Sequence, residues 1–259
     1  WGTPALEVTY GGLELVAERQ LTLAIAGADL GATLDGRTCP LWRSMTIGEG
    51  QLLAFATPVN GLRAYLAVAG GFCAAPVLGS VACVVREGLG GHDGLGHKLA
   101  DDTVLMVAES ASRMASGQSL PDAQRPDYRW PPRLDLLPGA QIEAFSGASL
   151  FAAFNTEWQV DDRADRMGVR LTGPRLYCRL TTMISEGIAL GAVQVPPDGQ
   201  PIALLNDRQT IGGYPRMGTL TPLAASRLAQ CLPGQAVRLQ TVSRERALTD
   251  YRGFRAGFP

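Results

Sequence analysis

Short apolar runs rich in Val, Ile and Leu recur along the chain, each closed by Gly, Pro, Asn or Asp, and this alternation predicts a mainly β protein. The strand-like runs are residues 21–26, 51–56, 63–68, 103–107, 188–195, 201–205 and 236–242. With 31 glycines and 17 prolines, breakers are frequent enough to keep the strands short. Asp35-Gly36, Asn60-Gly61 and Asp198-Gly199 tolerate the positive φ of a tight turn, so a hairpin is expected at each.

Helical patterns are few. The clearest takes Thr221 as N-cap and Pro222 as first helical residue, runs through Leu223, Ala224, Leu228 and Cys231, and stops at Pro233-Gly234. Arg227 and Gln230 are expected to face water on it, which makes it an amphipathic cover for a sheet or barrel end. Residues 149–154 form a second, shorter candidate.

Residues 110–138 hold Pro121, Pro126, Pro131, Pro132 and Pro138 among serine clusters and show little periodicity. They read as a linker between lobes at 1–109 and 139–259, with Tyr128 and Trp130 as aromatic surface for packing it onto a lobe. A faint internal repeat agrees with two lobes. Leu34-Asp35-Gly36-Arg37 leads to Gly50-Gln51-Leu52-Leu53, and Pro197-Asp198-Gly199-Gln200 leads to Gly234-Gln235-Ala236-Val237. The second copy carries an insertion that includes residues 206–218 and the capped helix.

Composition narrows the function. Basic and acidic residues number 23 and 24, so nothing attracts a nucleic-acid backbone over long range. No apolar run approaches the roughly 18 to 20 residues that span a bilayer, and the first residues lack a signal-peptide layout, so a cytoplasmic protein is expected. The five cysteines are scattered and never form C-x-x-C, which argues for buried thiols over disulfides or zinc. With only His92 and His97, imidazole-rich metal sites and histidine-based triads are disfavoured, and no metal site is expected.

Candidate chemistry concentrates in Asn206-Asp207-Arg208-Gln209-Thr210-Ile211-Gly212-Gly213-Tyr214-Pro215-Arg216, directly after an apolar strand. Asp207 can accept N–H groups from a small amide, Arg208 or Arg216 can fork onto a carboxylate, and Gly212-Gly213 lets the backbone approach a ligand. A salt-bridged turn whose glycines serve only φ is the architectural alternative. Asp161-Asp162-Arg163-Ala164-Asp165-Arg166 is a charge cluster in which Asp165 and Arg166 adjoin a strand, and Gln194 lies on a strand running into Pro196-Pro197-Asp198-Gly199. The glycine-rich stretch 88–96 lacks the order of a phosphate loop and reads as a surface loop. There is no G-x-S-x-G, H-E-x-x-H or G-x-G-x-x-G, and no biotin-acceptor motif surrounds Lys98.

Several segments together are similar to the biotin-dependent carboxyltransferase-like family, which includes the C subunit of 5-oxoprolinase, the KipI antagonist and the carboxyltransferase domain of urea carboxylase. They are Ala26-Gly27-Ala28-Asp29, Ala32-Thr33-Leu34-Asp35-Gly36, Arg63-Ala64-Tyr65-Leu66-Ala67-Val68-Ala69-Gly70-Gly71-Phe72, Pro76-Val77-Leu78-Gly79-Ser80, Asp165-Arg166-Met167-Gly168-Val169-Arg170-Leu171, Gly191-Ala192-Val193-Gln194-Val195-Pro196-Pro197-Asp198-Gly199-Gln200-Pro201 and residues 207–215. The resemblance implies two cyclophilin-like β-barrel lobes with few short helices. It also implies that family members carry a further N-terminal stretch of the first lobe, since Trp1 enters late. The loop at 88–98 departs from the family pattern, so no role passes to His92 or His97.

By this resemblance the chain is expected to serve as the C subunit of an ATP-dependent 5-oxoprolinase, opening the lactam of 5-oxoproline beside two companions, one KipI-like and one LamB/YcsF-like. ATP is expected to bind outside this chain, and no covalent cofactor is expected within it. Asp207, Arg208 and Gln209 are the expected catalytic residues, and Thr210, Gly212, Tyr214, Gln194, Asp165 and Arg166 the expected substrate contacts. Two alternatives are a non-catalytic binder of a KipI-like inhibitor and carboxyl transfer from carboxybiotin to a urea-like amide. An allophanate-hydrolase role lacks the Ser-Ser-Lys constellation it needs.

Overall fold

A computed structural model describes residues 3–108, 116–128, 132–180 and 183–257, and the chain divides into two compact units, Trp1–Pro126 and Asp127–Pro259. The first unit contains β1 (Leu6–Thr9), β2 (Leu13–Val16), β3 (Leu21–Asp29), β4 (Thr33–Leu34), β5 (Arg37–Thr38), β6 (Ser44–Ile47), β7 (Leu52–Phe55) and β8 (Asn60–Val68). They form two four-stranded sheets, ordered β1-β8-β3-β6 and β2-β7-β4-β5. Alternating residues such as Leu23, Ile25, Leu53, Phe55, Ala64 and Leu66 supply one shared core, as a period of two requires for strands with one buried face.

The second unit follows with β9 (Arg133–Pro138), α1 (Gly147–Asn155), β10 (Trp158–Val160), β11 (Gly168–Thr172), β12 (Glu186–Gly187), β13 (Ala192–Gln194) and β14 (Ile202–Leu204). It ends with β15 (Ile211–Gly212), β16 (Arg216–Leu220), α2 (Pro222–Leu228), β17 (Ala236–Thr241) and α3 (Arg244–Ala256). Seven strands close a barrel in the order β10-β11-β14-β13-β16-β9-β17, so none of its edges is left unpaired. Leu134, Leu136, Trp158, Leu171, Met217, Leu220, Leu228 and Val237 fill it. Trp158 is wholly buried and its indole N–H donates to the Ala153 carbonyl at 3.0 Å, which meets the need of a buried polar handle. Among the described residues no helix is long and apolar enough to cross a membrane.

Five of the seven expected strand runs coincide with β3, β7, β8, β14 and β17. The run 188–195 contracts to β13, because Ile188 to Gly191 turn at the barrel end and the Gly191 N–H bonds back to the Leu204 carbonyl at 2.8 Å. The run 103–107 forms no strand. Apart from the Phe72–Val107 bridge it meets no ladder partner among the described residues, and Val104 and Met106 are exposed.

Asp35-Gly36 and Asp198-Gly199 turn the β4–β5 and β13–β14 hairpins as expected, with Gly36 and Gly199 at φ of 77° and 76°. Asn60-Gly61 does not make a hairpin, because β7 and β8 lie in different sheets. Gly61 takes φ of 85° within β8, where the register shifts opposite Gly27 and Asp29.

α2 is capped as expected, the Thr221 side chain accepting from the Ala224 N–H. Gln230 does not face water; it is buried, and the Arg227 guanidinium lies 5.1 Å from the Tyr128 ring. Ser146, one turn earlier than the sequence places it, caps α1. α3 escapes the sequence reading because none of its residues is buried, so it carries no core-facing stripe of the kind that marks a packed helix.

Within the stretch 110–138, read as a linker packed onto a lobe, the Gln118 carbonyl accepts from the Ser44 N–H at 2.7 Å in the first unit, and residues 133–138 are barrel strand β9. Residues 109–115 and Trp130 lie outside the described residues. The thiol expectation holds for Cys39 and Cys231, whereas Cys73 is exposed, and all five cysteines are free.

Half of the internal repeat is physical. Gln51 Oε1 accepts from the Gly48 N–H at 2.7 Å, and Gln235 Oε1 accepts from the Leu232 N–H at 3.1 Å, three residues back in each case. Gly50 and Gly234 both hold positive φ, and the backbones of Gly50-Gln51 and Gly234-Gln235 exchange hydrogen bonds with Ala17 and Val160 respectively. The Asp-Gly turns are not equivalent, since β4 pairs with the Gly-Gln strand of its unit and β13 and β14 do not.

Candidate functional site

The polar stretch 206–216 leaves the barrel after β14 and returns to it as β16. Between them β15 pairs with β12 alone among the described strands, Glu186 opposite Gly212 and Gly187 opposite Ile211, forming a two-stranded ribbon. The Ile188 N–H donates to the Thr210 carbonyl at 2.9 Å and the Met183 N–H to the Gly213 carbonyl at 3.1 Å, which extends the pairing at both ends.

Two arginines fasten this ribbon. Arg208 donates from Nε to the Ile188 carbonyl at 3.1 Å and from Nη1 to the Leu205 carbonyl at 3.3 Å. Arg216 donates from Nη1 to the Gly187 carbonyl at 3.0 Å and pairs with the Glu186 carboxylate, which also accepts from Gln141 Nε2 at 3.3 Å. Sequence reasoning missed Gln141 and Glu186. They lie 75 and 30 residues from Arg216, so no local spacing announces them.

At the root of the ribbon Asp207 takes a bidentate contact from Arg166, Nε at 2.8 Å and Nη2 at 3.2 Å, and the Asp207 N–H donates to the Arg166 carbonyl at 2.9 Å. The Asp207 and Arg166 side chains are 14 % and 36 % exposed, so the pair is only partly shielded from solvent. Each carboxylate oxygen has two lone pairs, and Asp207 therefore retains acceptor capacity beyond Arg166. Asp165 differs: its Oδ1 accepts from the Met167 and Gly168 N–H groups at 2.8 and 3.1 Å, capping the turn into β11.

Gln194 is the most unusual residue of the group. It ends β13, is 2 % exposed, and accepts on Oε1 from Gln209 Nε2 at a long 3.5 Å, while its own Nε2 has no hydrogen-bond partner among the described residues. A buried unsatisfied donor of this kind costs about 1–3 kcal/mol. Above it lies Gly212, where a Cβ would stand 2.8 Å from Nε2 and 3.2 Å from Ile188 Cδ1. Gly212 does not have positive φ, so glycine serves space here and not conformation.

The structure thus brings Gln194, Gln209 and Gly212 together, joins Asp207 to Arg166, and commits Arg208 and Asp165 to backbone contacts. Thr210 and Tyr214 lie on the exposed surface of the ribbon. A cavity of about 330 Å³ in the same unit, lined by residues including Glu143, Ser146, Tyr177 and Arg179, contains none of the expected site residues. In the loop 88–98 the exposed His97 pairs with Asp93 at 2.6 Å, remote in sequence from all of these groups.

The model of the carboxyltransferase domain, subdomain A and B, matches residues 1–241. The chain belongs to this family. The 5-oxoprolinase C subunit of Escherichia coli strain K12 is 36 % identical over 247 residues, which cover 95 % of this chain and 77 % of that protein. The protein of the same name from Haemophilus influenzae is 31 % identical over 245 residues, covering 94 % and 77 %. The urea carboxylase structure from Kluyveromyces lactis superposes with a TM-score of 0.89 at 22 % identity, covering 98 % of this chain. This chain spans 24 % of the length of that enzyme, and at such identity the likeness speaks to the carboxyltransferase fold alone.

Proposed function

We propose that this carboxyltransferase-family chain is the C subunit of a cytoplasmic, ATP-dependent 5-oxoprolinase, acting with a KipI-like companion and a LamB/YcsF-like companion. The identity with two proteins named as 5-oxoprolinase C subunits supports the assignment of the complex. The observation that carries the reading to a site is the buried amide N–H of Gln194, which has no partner among the described residues; with the Arg166-held Asp207 carboxylate at the root of the same polar stretch, it supplies a donor for the carbonyl oxygen and an acceptor for the N–H of an amide.

Resonance makes a lactam carbonyl a poor electrophile, and phosphorylation of its oxygen by ATP in the complex gives water a better target. This chain contributes position and charge. Asp207, held by Arg166, accepts the lactam N–H, and Arg166 faces the substrate carboxylate. Gln194 and Gln209 present amide groups to the lactam oxygen. Arg208 keeps the ribbon in register over them, a positioning role in keeping with its two carbonyl contacts.

The test is ATP-dependent glutamate release from 5-oxoproline by the three reconstituted proteins of the complex. Asp207→Ala is expected to slow it by about 100-fold or more, the scale of losing a preorganised polar contact. An unchanged rate removes Asp207 from the site. Binding of the KipI-like companion with no turnover by the wild-type mixture favours instead a purely regulatory role.

A further inference from the structure

The partnerless donor and the thin ribbon above it belong to one device. Gln194 Nε2 is buried against Gly212, and the opposite end of the same amide accepts from Gln209 Nε2 at 3.5 Å, so the N–H lies on the ribbon side. Barrel strands β13, β14 and β16 hold Gln194 from below. The cover is shorter: β12 and β15 share two paired positions, continued by the Ile188–Thr210 and Met183–Gly213 hydrogen bonds and fastened by Arg208 and Arg216, and none of the described barrel strands pairs with them. A two-stranded ribbon of this length opens more readily than the closed barrel beneath it.

We propose that Gln194 is the specificity-determining donor of the site, reading the acceptor oxygen of a small planar amide that enters beneath the β12–β15 ribbon. This deepens the substrate-site reading above and rests on it. Entry of a carbonyl oxygen satisfies an N–H that has no partner among the described residues, so binding relieves a penalty already present in the free protein. Gly212 sets the clearance, because any Cβ there meets Nε2 before an oxygen can. A saturated analogue that lacks the carbonyl leaves the donor unsatisfied and is rejected.

The experiment titrates the full chain with 5-oxoproline, with 2-pyrrolidinone, which keeps the lactam carbonyl, and with proline, which keeps only the carboxylate. Hydrogen exchange is followed at the Ile188 and Met183 amides that stitch the ribbon. Both lactams are expected to bind and to change exchange there, and proline is not. Gln194→Leu is expected to weaken lactam binding by about tenfold or more while its melting temperature stays level or rises, since an unsatisfied buried donor has been removed. A merely structural glutamine gives the opposite pairing, lower stability with binding intact.

Equal lactam affinity in Gln194→Leu and wild type overturns the inference and leaves the 5-oxoprolinase reading standing. Binding of urea or acetamide in place of the lactams, lost in Gln194→Leu, keeps the donor role and sinks the 5-oxoproline reading. Failure of every amide to bind or to alter ribbon exchange means that Nε2 meets only water, and the inference falls.

Discussion

Asp161 shows how a dense run of charge resolves into geometry. Its Oδ1 accepts from Arg163 N–H and Nε at 3.0 and 2.6 Å and its Oδ2 from Nη2 at 2.7 Å, and these contacts with Arg163 hold the carboxyl well below its ordinary range. A carboxylate with a depressed folded-state pKa adds stability above its unfolded value of about 3.9 and loses it as pH falls below that toward the folded value. Asp161→Asn is therefore expected to lower stability at pH 7 by about 0.2–1 kcal/mol, a surface-pair magnitude. The difference shrinks below about pH 4 in urea titrations. A gap that persists unchanged at pH 2 contradicts the ionic account. The same cluster looks uniform in sequence, yet Asp161 binds Arg163, Asp165 caps a turn, and Arg166 alone reaches Asp207 across 41 positions.

Among the elements, the junction of β16 with β9 is where the barrel has least tolerance. A Cβ at Gly218 would lie 2.1 Å from the Leu137 carbonyl oxygen and 2.6 Å from Leu136 Cδ2, so Gly218→Ala must push β9 outward. Because β9 also pairs in parallel with β17, the shift opens two ladders at once. An overpacking loss of about 1–3 kcal/mol is expected from urea denaturation, against roughly 1 kcal/mol for removing the α2 cap in Thr221→Ala. If Gly218→Ala proves the milder change, the barrel is more pliant than its contacts indicate. Nothing in Met217-Gly218-Thr219 announces this constraint, whereas Thr221-Pro222 declares its helix outright. Caps act within one turn of chain, while barrel clearances involve strands far apart in sequence.

At the scale of the molecule, the second unit has a closed barrel and its own core of fully buried side chains, which are the requirements for folding alone. Residues 127–259 expressed by themselves are expected to melt in a single cooperative transition followed by circular dichroism. A non-cooperative melt shows that the barrel depends on residues 1–126. The β class, both Asp-Gly hairpins that formed, the α2 cap, the Gly-Gln repeat and the polar stretch 206–216 were legible in the chain, because each is written in neighbouring residues through periodicity, φ tolerance or capping. The strand order of the barrel, the pairing of Arg166 with Asp207, the burial of Gln230, and the placement of Gly212 over a Gln194 Nε2 with no partner among the described residues were settled by the fold alone. Those depend on which distant strands become neighbours, and burial is a property of that arrangement and not of any residue's own segment.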